Sequence, residues 1–235
     1  MTDTRTINHD HDGTEFVSVI AGGGDGPRPA VLIFHTWKGR SDFEVGHARR
    51  LAEQGYTAVA VDLYGGGKLG ADVEECTALM TPLMEDRALL RARLLSALEA
   101  VKALTEVDAS RIAAVGFCFG GLCALDLARS GVDVRGVASF HGLFTPTGLD
   151  PQPITAKVVA YHGWDDPMAT PDTVLALAKE MSEAGADWQI HAYGNVVHSF
   201  TNPGANDRAS GTAFDPDAAR RSFESLDLFL KEVLA

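Results

Sequence analysis

The sequence is short of cysteine, of basic charge and of long apolar runs. Three cysteines in 235 residues, Cys76, Cys118 and Cys123, are too few and too scattered for a disulfide framework. A free thiol suits a reducing compartment. Lys and Arg number 20 against 32 Asp and Glu, a net charge of −12, which argues against a nucleic-acid partner or an anionic membrane surface. It does not constrain a small-molecule substrate, which feels only its local pocket. No run approaches the roughly 20 apolar residues of a membrane span. The opening Met1-Thr2-Asp3-Thr4-Arg5 has no apolar core of a secretory signal. The expectation is a soluble, cytoplasmic protein.

What the sequence does have is a strand–helix alternation from end to end. Short apolar runs at 16–20, 30–35, 57–61, 111–115, 134–140, 157–162 and 188–193 read as strands. Stretches with helical spacing at 43–54, 85–104, 122–128, 171–180 and 216–233 read as helices, the first stopped by Gly55. The pattern predicts an α/β fold, a mostly parallel sheet with helices on both faces. Residues 1–15 are polar; their His9-Asp10-His11-Asp12 reads as a solvated terminal tract rather than a metal site. Residues 16–235 then make one domain. Gly65-Gly66-Gly67-Lys68 is followed by Leu69 and lacks phosphate-loop spacing, so it reads as a mobile loop. In such a sheet, catalytic residues belong on loops at the carboxyl ends of strands.

One hexapeptide, Gly116-Phe117-Cys118-Phe119-Gly120-Gly121, sits where a predicted strand meets a predicted helix. Strand, sharp G-x-C-x-G turn and helix make the nucleophile elbow of an α/β-hydrolase, with a thiol as nucleophile. The turn is strained and its neighbours must be small. The helix N-terminus favours a thiolate over a thiol. The competing reading of Cys118 is a small buried hydrophobe.

The rest of the chain supplies partners in the order nucleophile, acid, histidine. In Tyr161-His162-Gly163-Trp164-Asp165-Asp166-Pro167 a strand ends, glycine turns the chain and a carboxylate is presented. Asp166 fits the G-x-x-D spacing better than Asp165, which stays the alternative. His198 follows the last predicted strand and precedes the last helix. His35, His141 and His162 also lie near strand ends, but order and position select His198. The oxyanion donors expected are the N–H of Phe119 and that of Trp37, the latter to within one residue. Together these support two-step acyl transfer through a thioester.

At this point the chain resembles the dienelactone hydrolase family, from about residue 16 onward. The likeness rests on the elbow, on Gly55-Tyr56-Thr57-Ala58-Val59-Ala60-Val61-Asp62-Leu63-Tyr64, on the turn at Asp165-Asp166-Pro167 and on His198-Ser199-Phe200. It implies a Cys118, Asp166, His198 triad that hydrolyses small esters or lactones with no cofactor and no metal. Two positions depart from the family. Its members carry a glutamate paired with the cysteine where this chain has Thr36, and a substrate-binding arginine where it has Asn202. Lys38, Arg40 and Lys68 read as solvated charges. The expectation is a preference for neutral substrates over a dienelactone carboxylate. A general carboxylesterase or thioesterase is the neighbouring reading, and a non-catalytic binding module on the same fold a more distant one. A redox pair of Cys118 and Cys123 lacks the required spacing.

Overall fold

A computed structural model of the chain describes residues 2–24 and 26–235. It opens with a β-hairpin, β1 (Thr4–His11) and β2 (Thr14–Ala21). Then come β3 (Arg28–Phe34), α1 (Asp42–Glu53), β4 (Thr57–Val61), α2 (Val73–Glu85), α3 (Arg87–Lys102) and β5 (Val107–Phe117). The second half holds α4 (Phe119–Arg129), β6 (Gly136–Phe140), β7 (Lys157–Gly163), α5 (Pro171–Glu183), β8 (Trp188–Tyr193) and α6 (Pro216–Val233), with a small two-stranded ribbon, β9 (Asn206–Asp207) and β10 (Thr212–Ala213), before α6. Among the described residues, eight strands form one sheet in the order β1-β2-β4-β3-β5-β6-β7-β8. Pairing is parallel from β4 to β8 and antiparallel only where β1 meets β2 and β2 meets β4. No helix among the described residues is long and apolar enough to cross a membrane.

The central strands bury both faces, which is why they read as unbroken apolar runs. Period-2 alternation divides them between two cores. Ala30, Leu32 and Phe34 of β3 join a core with Leu90 and Leu94 of α3, Leu122 and Leu125 of α4, and Val174 and Leu177 of α5. Val31 and Ile33 join the opposite core, with Val45, Ala48 and Leu51 of α1 and Leu226, Phe229 and Leu230 of α6. Asp126 of α4 accepts hydrogen bonds from Arg87 at the start of α3 and from Arg129, which also reaches Glu180 of α5. This buried network ties three helices on one face.

Strand β1, helix α2 and the β9–β10 ribbon depart from the elements that the sequence predicts. The polar segment 1–15, expected as a solvated terminal tract, holds a strand: residues 4–11 form β1 and pair along all of β2. Asp12 and Gly13 make a two-residue turn with φ of 52° and 71°, the left-handed geometry that Asp-Gly favours in hairpins. His9 stacks on Phe16 with ring centroids 5.1 Å apart. Helix α2 has no clear counterpart in the sequence pattern. It follows a glycine-rich stretch, carries Pro82 inside and buries little beyond Cys76 and Leu83, so its helical period is weak. The run expected at 85–104 starts instead at Arg87, because Asp86 accepts from Leu89 N–H at 2.8 Å and caps α3.

The elbow fixes how closely α4 approaches the sheet. A Cβ at Gly120 would lie 2.1 Å from the Phe34 carbonyl oxygen, and one at Gly116 would lie 1.8 Å from that of Gly120. Both obstacles are backbone and cannot swing aside. Gly120→Ala is therefore expected to destabilise the protein by about 3 kcal/mol or more, at the upper end for overpacked sites. Urea unfolding of the purified variant measures this, and a loss under about 1 kcal/mol would show that α4 can shift outward.

Candidate active site

Strand β5 ends at Phe117 and α4 begins at Phe119, so Cys118 alone makes the turn. Its φ of 57° and ψ of −118° are costly for a non-glycine residue. The turn is held by Cys118 N–H donating to the Phe140 carbonyl at 3.0 Å and by Gly121 N–H donating to the Cys118 carbonyl at 2.9 Å. Half-buried Cys118 thus stands at the carboxyl end of the sheet and the N-terminus of a helix.

The loops after β7 and β8 bring two more predicted residues together. His198 Nδ1 lies 2.7 Å from Asp166 Oδ2, and both side chains are buried. The other oxygen of Asp166 accepts from Met168 N–H at 2.8 Å. Asp165 is exposed; its backbone N–H donates to the Val196 carbonyl at 2.9 Å. Of the two carboxylates, the one that holds the imidazole is Asp166. His198 is clamped through its own backbone: its N–H donates to the Gly211 carbonyl at 2.9 Å, and its carbonyl accepts from Ala213 N–H at 3.1 Å. His198 Nε2 is buried with no hydrogen-bond partner among the described residues.

Electrostatics couple that imidazole to the sulfur. Burial opposes ionisation of Cys118, but the charge of His198 and the N–H groups of Phe119 and Trp37 outweigh it, and the thiol pKa falls below its ordinary value. Burial likewise opposes protonation of His198, but Cys118 and Asp166 outweigh it, and its pKa rises. The two shifts favour a thiolate beside an imidazolium over the neutral pair. Both predicted oxyanion donors, Phe119 and Trp37, act on the same sulfur. Such an array can supply a nucleophile, a proton and two donors for a developing oxyanion.

The dienelactone hydrolase family model matches residues 17–234. The chain belongs to the dienelactone hydrolase family. It is accordingly a hydrolase of ester or lactone bonds. An uncharacterized protein of Caenorhabditis elegans is 39% identical over 150 residues, 62% of this chain and 95% of that one. A putative carboxymethylenebutenolidase of Aquifex aeolicus is 28% identical over 212 residues, 88% of this chain and 89% of that one. Among solved structures, a dienelactone hydrolase-like promiscuous phosphotriesterase from metagenomic libraries is 33% identical. It covers 100% of this chain and 99% of its own, with a TM-score of 0.91.

Against the features that resemblance to dienelactone hydrolases implies, the loop after β3 differs in its carboxylate. Thr36 presents no acid, but fully buried Glu44 of α1 turns back onto this loop. It accepts from Thr36 N–H at 3.1 Å and from Ser41 N–H and Oγ at 2.8 and 2.7 Å. The signal was present as Ser41-x-x-Glu44, a capping box, though nothing in that spacing says that the glutamate also reaches Thr36. Asn202, where the family resemblance would place an arginine, uses its side-chain oxygen on Gly204 N–H at 2.9 Å. Lys38 and Lys68 are exposed, and Arg40 is tied to the Val17 carbonyl at 2.9 Å. His141, passed over by order and position in the sequence, lies beside the site. Its ring lies 5.1 Å from that of His198, its Nε2 is 2.8 Å from Thr201 Oγ1, and its φ is 36°.

The shifted pair sets an expectation for reactivity. Iodoacetamide should alkylate Cys118 at neutral pH, well below the range of an ordinary thiol at about 8.5. The rate should rise as pH climbs through the lowered thiol pKa. His198→Ala removes the imidazolium and should move that inflection upward. Mass-spectrometric alkylation rates across pH measure both, and an unmoved inflection in His198→Ala would separate the two groups electrostatically.

Proposed function

We propose that this chain is a cysteine-dependent hydrolase of small esters or lactones working through Cys118, His198 and Asp166. The observation that carries the reading is the buried 2.7 Å contact between His198 and Asp166, beside a cysteine whose anion is favoured. The Cys118 thiolate attacks the ester carbonyl, and the carbonyl electron pair moves to oxygen. The tetrahedral oxyanion sits between the N–H groups of Phe119 and Trp37. It collapses as the His198 imidazolium protonates the leaving alkoxide, giving an alcohol and a thioester. Neutral His198 then takes a proton from water, the hydroxide adds to the thioester, and collapse releases the carboxylic acid and restores the thiolate–imidazolium pair. Asp166 keeps the Nδ1 proton in place, so that Nε2 faces the chemistry.

Cys118→Ala is expected to remove turnover of a p-nitrophenyl ester while keeping the fold. Cys118→Ser should be strongly impaired, because a hydroxyl does not ionise at a helix N-terminus as a thiol does. Asp166→Asn should lose turnover heavily and Asp165→Asn mildly. Steady-state kinetics with circular dichroism decides this; the reverse order of the two Asp variants would move the acid by one residue.

The substrate is proposed to be uncharged near the reacting carbonyl. Thr36 offers no carboxylate, Asn202 offers no cation, and Lys38 and Lys68 are solvated. A flexible lysine does not replace a bidentate arginine. Matched neutral and carboxylate-bearing esters should therefore differ in kcat/KM in favour of the neutral one, and Asn202→Arg should narrow the gap. A wild-type preference for the carboxylate by about tenfold, or about 1.4 kcal/mol, would reveal a cationic site elsewhere in the pocket.

A further inference from the structure

Three successive peptide groups between His35 and Lys38 are held by three different buried side chains. The His35–Thr36 peptide gives its N–H to Glu44 Oε1 at 3.1 Å. The Thr36–Trp37 peptide carries the N–H that acts on Cys118, and its carbonyl lies 2.6 Å from His35 Nδ1. The Trp37–Lys38 peptide has its carbonyl 2.8 Å from the Tyr64 hydroxyl. The middle contact bears most directly on the chemistry. It falls on the other end of the same planar unit as the Trp37 N–H, and that plane cannot twist internally.

The partners of the His35 ring dictate its tautomer. The Thr36 carbonyl can only accept, so Nδ1 carries the proton. Leu63 N–H, 3.3 Å from Nε2, can only donate, so Nε2 keeps its lone pair. The ring is fully buried and lies against Tyr64 and Phe119, with centroids 4.5 and 6.1 Å away. Phe119, whose N–H is the other proposed oxyanion donor, thus packs its ring on the same side of the site as this imidazole. A second proton on Nε2 would meet the Leu63 N–H head-on, and burial pushes the same way, lowering the His35 pKa. Glu44 and Asp62 oppose that shift and Arg40 reinforces it.

We propose that His35, as the neutral Nδ1–H tautomer, is a positioning residue for the reaction. Its hydrogen bond to the Thr36 carbonyl fixes and polarises the peptide whose N–H completes the oxyanion site. This rests on Cys118 being the nucleophile. The bond is in place before substrate arrives, so it serves the transition state without a reorganisation step.

The test has two arms. In kinetics, His35→Leu should lower kcat by about 10- to 100-fold, less than outright loss of a donor, with KM changed less than about threefold. His35→Asn, whose amide N–H can stand in for Nδ1–H, should keep kcat within about threefold of wild type. An aldehyde matched to the acyl group adds to the Cys118 thiolate as a thiohemiacetal, taking up one proton on oxygen. Its inhibition constant should rise in His35→Leu by the factor that kcat/KM falls, an effect that loosened packing alone does not produce. The second arm uses the wild-type protein: nitrogen-15 NMR should show His35 at neutral pH protonated on Nδ1 and bare on Nε2, and taking a second proton only below the ordinary imidazole range. A folded His35→Leu with wild-type kcat and aldehyde affinity, an Nε2–H tautomer, or titration near the ordinary value would overturn the proposal. An active Cys118→Ala would instead overturn the nucleophile assignment, leaving the tautomer result intact.

Discussion

Helix α4 lies so close to the sheet that two positions of its first turn, 120 and 121, have no room for a side chain. The Gly120 position is blocked by the Phe34 and His35 carbonyls, and that of Gly121 by Gly142 and Ser139. The geometry of the nucleophile's turn follows from that approach. It forces one residue to turn the chain alone, places its sulfur at the head of a helix, and brings the Phe119 N–H beside it. It also sets the end of β3, and so the loop carrying Trp37, against the same turn. A strained cysteine at a helix terminus, with the Phe119 N–H next to it, is one geometric consequence of glycine at 120 and 121.

Around this point the protein assembles polar groups in a place where water is scarce. His35, His141, His162, His198, Asp166 and Glu44 are all buried near the carboxyl ends of the central strands. Unpaired polar groups are costly there, and most of these have partners, but among the described residues His162 has none on either ring nitrogen, and neither His141 Nδ1 nor His198 Nε2 has one. For the His198 nitrogen, the charge of Cys118 offsets the cost of burial and favours its protonated form. Asp166 and the backbone clamps at Gly211 and Ala213 hold His198 in that position.

The central strands and the elbow were legible in the sequence because each announces itself locally. Apolar runs such as Ala30-Val31-Leu32-Ile33-Phe34 have one use in a sheet buried on both faces, and G-x-C-x-G between a strand and a helix has few. Asp166 could be preferred to Asp165 by spacing, although the feature that distinguishes them, burial against His198, is tertiary. Glu44, His35 and Tyr64 were not assignable as holders of the Trp37 loop. Their partners are backbone groups, and a backbone carbonyl leaves no mark on the sequence. Helix α2 was hidden by Pro82 and by a weak apolar face. Strand β1 was hidden by its polarity, despite the Asp-Gly turn that follows it.

That polarity has a use at the edge of the sheet. Outermost strands offer unpaired N–H and C=O groups to any other strand that comes alongside. Here the outermost place on one side is taken by a strand of arginine, threonine, asparagine, aspartate and histidine, with Ile7 as its one aliphatic residue. It is moored by Arg5 to Glu106 across the sheet's end. Behind it, β2 alternates Phe16, Ser18 and Ile20 into the interior, a stickier surface altogether. A chain starting at residue 14 would present that strand bare, a template for self-assembly. The eight polar-rich residues before it act as a selvage, finishing the edge so that the sheet does not go on growing into another copy of itself.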